Sequence, residues 1–140
     1  MIVVDASVAV KWFVPEEGTA EADALLRSDI PRAAPEHLLA EVGEALLRHH
    51  REEQLPLEFC RAALADLREV VTLFPTEALA RDAFDIAAEG RCSVYDALYV
   101  AAAERWDCVV LTADAKLIAK LDASPWRSRL RLLAAKPGRA

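Results

Sequence analysis

Ile2-Val3-Val4, followed at once by Asp5-Ala6-Ser7, is the stretch that decides the fold. Consecutive β-branched apolar residues with no polar alternation read as a strand buried on both faces, and strands of that kind belong to parallel sheets. Val70-Val71-Thr72-Leu73-Phe74 and Cys108-Val109-Val110-Leu111 have the same character, and weaker candidates lie at 32–34 and 130–133. Between them the apolar residues fall at helical spacing, over 6–13, 19–28, 36–52, 57–69, 76–89, 93–106 and 114–121. Pro15 and Gly18 break the first of these, Pro31 ends the second, Pro56 suits a first turn, and Gly90 ends the helix over 76–89. Strands separated by helices imply parallel pairing with crossover connections. The expectation is one α/β domain over 1–140, with a parallel sheet of four or five strands flanked by helices.

Composition agrees with that reading. At 140 residues the prior is a single domain, long enough to bury about two thirds of its unfolded surface. Alanine fills 28 positions and leucine 19, whereas four glycines would serve the many tight turns of an all-β fold poorly. The hydrophobic fraction of 54% and the charged fraction of 29% describe a globular chain rather than a disordered one. Net charge is −6, but residues 124–140 hold Arg127, Arg129, Arg131, Lys136 and Arg139 and no acid. The rest carries 12 bases against 23 acids, which excludes a protein that coats nucleic acid by bulk electrostatics. Cys60, Cys92 and Cys108 lack paired spacing and read as reduced thiols. The first residues have no basic segment ahead of an apolar one, and no long uncharged apolar window exists, so neither a secretory signal nor a membrane span is expected. The expected location is the cytoplasm.

In a parallel sheet, ligands bind beyond the carboxyl ends of the strands. Asp5 follows the first strand and Asp114 follows the strand at 108–111. Asp96 is the only charge in Ser93-Val-Tyr-Asp-Ala-Leu-Tyr-Val-Ala-Ala-Ala103, an expensive place for a carboxylate without compensation. Glu41 flanks the apolar stripe of the helix 36–52, whereas Glu44 points further out. Each acid also has a plain structural reading: helix caps for Asp5 and Asp114, a capping box from Ser93 to Asp96, a solvated boundary residue for Glu41. Brought together, four carboxylates would repel and raise one another's pKa values, and only a cation would hold them ionised. Oxygen ligands without paired Cys or His select Mg²⁺ or Mn²⁺.

Val3-Val-Asp-Ala-Ser7, Leu38 to Leu46 around Glu41, Ser93-Val-Tyr-Asp-Ala-Leu around Asp96 and Leu111-Thr-Ala-Asp114 together resemble the four acidic motifs of PIN-domain ribonucleases. Their order, spacing and the chain length are similar to the toxin of a VapBC toxin–antitoxin pair. The resemblance implies a Mg²⁺- or Mn²⁺-dependent endoribonuclease that hydrolyses RNA through a metal-activated water. It implies Asp5 and Asp96 as direct metal ligands, with Glu41 and Asp114 acting through water or on a second ion. Ser7 and Thr112 match hydroxyl positions that brace the acids. It further implies a cognate antitoxin, and a homodimer for which Trp12 and Phe13 offer an apolar face.

Because the body of the chain is acidic, RNA would be gripped by the metal and a few local bases, with Lys11, Arg127, Arg129 and Arg131 as candidates. His37, His49 and His50 sit where surface histidines are ordinary, and no catalytic role is expected of them. A dehalogenase-type phosphatase would need a second Asp where Ser7 stands, and a response-regulator receiver would need an acidic pair where Val4-Asp5 supplies one acid. The remaining alternative is a non-catalytic partner-binding module whose acids only cap helices.

Overall fold

The computed structural model describes residues 1–134; Lys136 and Arg139 of the basic end lie outside the described residues. Five strands, β1 (Ile2–Val4), β2 (Arg32–Pro35), β3 (Thr72–Phe74), β4 (Val110–Thr112) and β5 (Leu130–Leu132), form one sheet in the order β3-β2-β1-β4-β5. Every neighbouring pair is parallel, with Val3 set between Ala33 on β2 and Val110 on β4. β1 is buried throughout, as the apolar run at residues 2–4 requires.

The helices are α1 (Ala6–Ala9), α2 (Thr19–Arg27), α3 (Leu38–Arg51), α4 (Leu57–Val70), α5 (Ala80–Gly90), α6 (Val94–Arg105) and α7 (Ala115–Lys120). α6 packs on β1, β2 and β4 and along α5. Its residues Ala97 through Ala103 are all buried, so the helix is apolar around most of its circumference. The alanines let it lie close to the sheet, and Tyr99 is the largest fully buried side chain. α3 packs against α1 and α4. Among the described residues, no helix is long and apolar enough to cross a membrane.

Several boundaries differ from the sequence reading. The β-branched pair Val70-Val71 belongs to the end of α4 rather than to a strand: Cys60, Ala63, Leu67 and Val71 keep a helical spacing into the core, and the Val71 amide donates to Leu67 O at 3.1 Å. The strand expected at 108–111 begins two residues later, because the Cys108 amide closes α6 by donating to Ala103 O at 2.9 Å. The helices expected at 6–13 and 76–89 each include a 3₁₀ turn, at Val10–Trp12 and Glu77–Leu79. A further 3₁₀ turn at Pro125–Arg129 was not expected.

Gly90 does not stop α5 by turning left-handed; it is the last helical residue, and Arg91 takes the left-handed conformation with φ +56°. What Gly90 provides is space: a Cβ there would stand 2.5 Å from Cδ2 of the fully buried Leu121. Gly43 on α3 has no such neighbour, since its Cβ would meet only Leu64 methyls at 3.9 and 4.0 Å. Gly90→Ala should therefore destabilise the protein by about 1–3 kcal/mol through overpacking. Gly43→Ala should stabilise it by roughly 0.5–1 kcal/mol through the lower entropy of its unfolded chain. Urea denaturation of the two variants checks the opposite signs.

Candidate active site

The chain runs outward from β1 through β2 to β3, then returns to the other side of β1 for β4 and β5. The crevice of such a sheet opens at the carboxyl ends of the two strands where the direction reverses, here β1 and β4. Asp5 is the residue after β1, and Asp114 lies two residues beyond β4. Asp96 stands in the first turn of α6 and Glu41 in the first turn of α3.

Asp5 is held from its own turn. Its Oδ1 accepts from the Ser7 amide at 3.0 Å and from the Ser7 hydroxyl. The same hydroxyl accepts from the Ala113 amide at 2.8 Å and lies 3.3 Å from Thr112 Oγ1, which accepts from the Asp114 amide at 3.0 Å. Ser7 and Thr112 thus lace the loop after β1 to the loop after β4. Asp114 Oδ1 accepts from the Lys116 and Leu117 amides, at 2.9 and 3.4 Å, as the cap of α7. Ser93 caps α6, accepting from the Asp96 amide at 3.0 Å, which is the first half of the capping box read from the sequence.

Glu41 is anchored by two side chains to which the sequence reading gave no part in the site. Tyr99, three residues after Asp96 on α6, donates from its hydroxyl to Glu41 Oε1 at 2.7 Å. His37 Nε2 lies 3.2 Å from the same oxygen and 2.9 Å from Tyr95 O. Both neighbours are acceptors, so Nε2 carries the hydrogen. The imidazole also packs on the Tyr99 ring at 4.6 Å, and its Nδ1 is buried with no partner. The expectation that His37 is an ordinary surface residue is corrected: it positions Glu41. The signals available were the i, i+4 spacing of His37 and Glu41 and the i, i+3 spacing of Asp96 and Tyr99. His49 and His50 do lie away from the site, bonded to Gln54 and to Leu55 O.

These acids sense one another. Burial pushes Asp5 up to about 6, against the lowering effect of its Ser7 and Thr112 hydrogen bonds, and Asp96 adds to the rise. Asp96 is raised by burial and then by the charges of Glu41 and Asp114, with Ser93 and Lys120 opposing. Glu41 goes the other way: burial would raise it, but the His37 and Tyr99 hydrogen bonds and the His37 charge bring it below the ordinary carboxylate range. The Tyr99 phenol is pushed far up by burial and by Glu41, so it stays protonated and donating.

Among the described residues, no three His, Cys, Asp or Glu side chains close on one another tightly enough to cage an ion by themselves. The donor set nevertheless fits a hard cation that retains water. The donors are carboxylate oxygens, and Glu41 and Asp114 each concentrate their protein hydrogen bonds on a single oxygen. The nearby Cys92 thiol is raised by burial and by Asp96, which disfavours a thiolate ligand and a zinc site.

The bases proposed from sequence are committed elsewhere. Lys11 Nζ pairs with Glu16 at 3.0 Å and donates to Glu17 O at 2.6 Å. Arg129 pairs with Asp107 at 2.9 Å, before β4, and Arg127 reaches Leu130 O and Asp122. Both arginines therefore lie at the amino ends of β4 and β5, away from the acids. Arg131 is exposed on the edge strand β5. Trp12 and Phe13, expected as a dimer face, pack against the chain's own core, and the Trp12 indole donates to Ala22 O at 2.8 Å.

The PIN domain family profile matches residues 2–123. Ribonuclease VapC9 of Mycobacterium tuberculosis is 34% identical over 119 residues, covering 84% of this chain and 88% of that protein. Ribonuclease VapC3 of Pyrobaculum aerophilum is 31% identical over 125 residues, covering 87% and 95%. The structure of a toxin–antitoxin complex from Klebsiella pneumoniae superposes with a TM-score of 0.67 at 17% identity, covering 97% of this chain and 100% of that one, a likeness of fold alone.

Burial of Asp5 has a measurable sign. A carboxyl raised from 3.8 to about 6 binds its proton more tightly in the folded than in the unfolded chain. Metal-free stability should then fall as pH rises from about 4 to about 6, with a full penalty of about 3 kcal/mol above that. Asp5→Asn keeps an oxygen for Ser7 and removes the charge. In a chelator, denaturant unfolding should show the variant equal to wild type near about pH 4 and more stable, by up to about 3 kcal/mol, near about pH 8.

Proposed function

The chain belongs to the PIN-domain family, and on that premise we propose that it is a divalent-metal-dependent endoribonuclease acting as the toxin of a toxin–antitoxin pair. The observation that carries the reading is that Asp5, Glu41, Asp96 and Asp114, from separate parts of the chain, are linked by charge, Asp5 to Asp96 and Asp96 to Glu41 and Asp114, with Asp5 and Asp114 just beyond the carboxyl ends of β1 and β4.

In this reading Asp5 and Asp96 would hold the ion, Asp5 oriented by Ser7 and Asp96 by its place in the first turn of α6. The chemistry supplied by a bound Mg²⁺, or Mn²⁺ in its place, would be a more acidic water and a counter-charge to the phosphoryl oxygens of RNA. Glu41 stands one step further out. A carboxylate held below its usual range is a poor proton acceptor but a well-fixed hydrogen-bond acceptor, so its role is to orient water through Oε2 while Tyr99 and His37 occupy Oε1. Asp114 does the same from the loop after β4, or supports a second ion. Thr112 and Ser7 keep the two loops in register.

Helix capping by Asp5 and Asp114 gives some support to a purely structural role for the acids. It covers Asp96 only by half: Ser93 accepts from the Asp96 amide as a capping box requires, but among the described residues the Ser93 amide makes no returning bond to the Asp96 carboxylate. The same reading gives the chain an antitoxin partner and a second copy of itself, and a cytoplasmic location.

Asp5→Asn and Asp96→Asn should fold and cleave no RNA, assayed by sequencing RNA ends after induced expression. Wild-type cleavage by Asp96→Asn in limiting Mg²⁺ would sink the assignment. Tyr99→Phe should fold but lose about 10–100-fold in turnover, the range typical of losing a partner behind a metal site. Unchanged turnover would show that the hold on Glu41 plays no part.

A further inference from the structure

We propose that Arg91, Lys116 and Lys120 form the track that carries the RNA backbone past the acidic crevice, a reading that rests on the ribonuclease assignment. Among the described residues, Lys120 is a base whose charge is felt by Asp96 and by Cys92 as well. With Arg91 it lines an open cavity of about 430 Å³, which Glu89 and Gly90 also border. Lys116 lies one turn before Lys120 on α7, and residues four apart on a helix share a face. Asp114 caps the same helix two residues before Lys116, so the helix that carries both lysines starts at the crevice.

Two further features bear on their availability. Lys11, Arg61, Arg127 and Arg129 are in ion pairs, whereas the side chains of Arg91, Lys116 and Lys120, like those of Arg68 and Arg131 away from the acids, have no hydrogen-bond or ion-pair partner among the described residues. Arg91 also sits at φ +56°, where glycine or asparagine would be the unstrained choice. A long cationic side chain kept at a strained position beside a cavity points to use of the side chain. In a chain whose first 123 residues hold 12 bases against 23 acids, three free cations beside the acids are where a polyanion can approach.

The test uses Asp5→Asn as the background, so that RNA is bound without being cut, and a fluorescein-labelled single-stranded RNA of mixed sequence as the probe. Adding Arg91→Gly, Lys116→Ala and Lys120→Ala should weaken binding at least about tenfold at about 100 mM salt and lower the salt slope by about 2. These changes favour the local backbone, so near-unchanged melting shows that the fold survives, and Arg68→Ala at the opposite end of the sheet should leave affinity unaltered. Affinity within about twofold of the background, an equal loss in Arg68→Ala, or no RNA binding by the background at low salt would overturn the proposal. Loss of poly-glutamate binding with RNA binding intact would assign the row to an acidic protein segment and also overturn it. The ribonuclease reading fails separately, if Asp5→Asn cleaves RNA like wild type.

Discussion

A buried carboxylate at the end of the central strand is the constraint around which the rest of the site is arranged. Asp5 follows three residues that must be inside, so it enters a region where its charge is costly. Ser7 answers part of that cost with an amide and a hydroxyl, and the hydroxyl in turn reaches Ala113 and Thr112. Through this one side chain the turn after β1 is joined to the turn after β4, the turn that carries Asp114. Among the described residues no base is seen to relieve the remaining burial penalty, and Asp96 makes it larger.

The four acids divide by environment. Asp5 and Asp96 are pushed towards protonation, whereas Glu41 is held ionised by Tyr99 and His37. Such a split supplies one pair of oxygens that gain from a cation and another oxygen already fixed for hydrogen bonding. The alanine-rich α6 serves the same end, because small residues bring it close to β1 and β4 while its first turn carries Asp96 and its next turn carries Tyr99.

Much of this was legible in the sequence. Unbroken β-branched runs located β1 and β4, and acids placed just after strands located two of the four carboxylates. Asp96 stood out as the lone charge in an apolar helix. What escaped reading depended on contacts across the fold. Tyr99 looked like one more apolar residue of α6 until Glu41 was found opposite its hydroxyl, and His37 shared that partner. The basic end looked available because ion pairs such as Arg129 with Asp107 join residues far apart in sequence. Val70 and Val71 misled for a local reason: β-branched residues favour strands, but their spacing from Leu67 kept them at the end of α4.

The account's central claim is that a divalent ion takes the place of the proton that burial forces onto Asp5. Calorimetric titration of Mn²⁺ into the chelator-stripped protein, repeated in two buffers of different ionisation enthalpy, counts the protons displaced on binding. The account predicts release of roughly half a proton per ion at about pH 6, falling towards none at about pH 8, with both binding and release lost in Asp5→Asn. Mn²⁺ binding that releases no protons near pH 6 and persists undiminished in Asp5→Asn would contradict it.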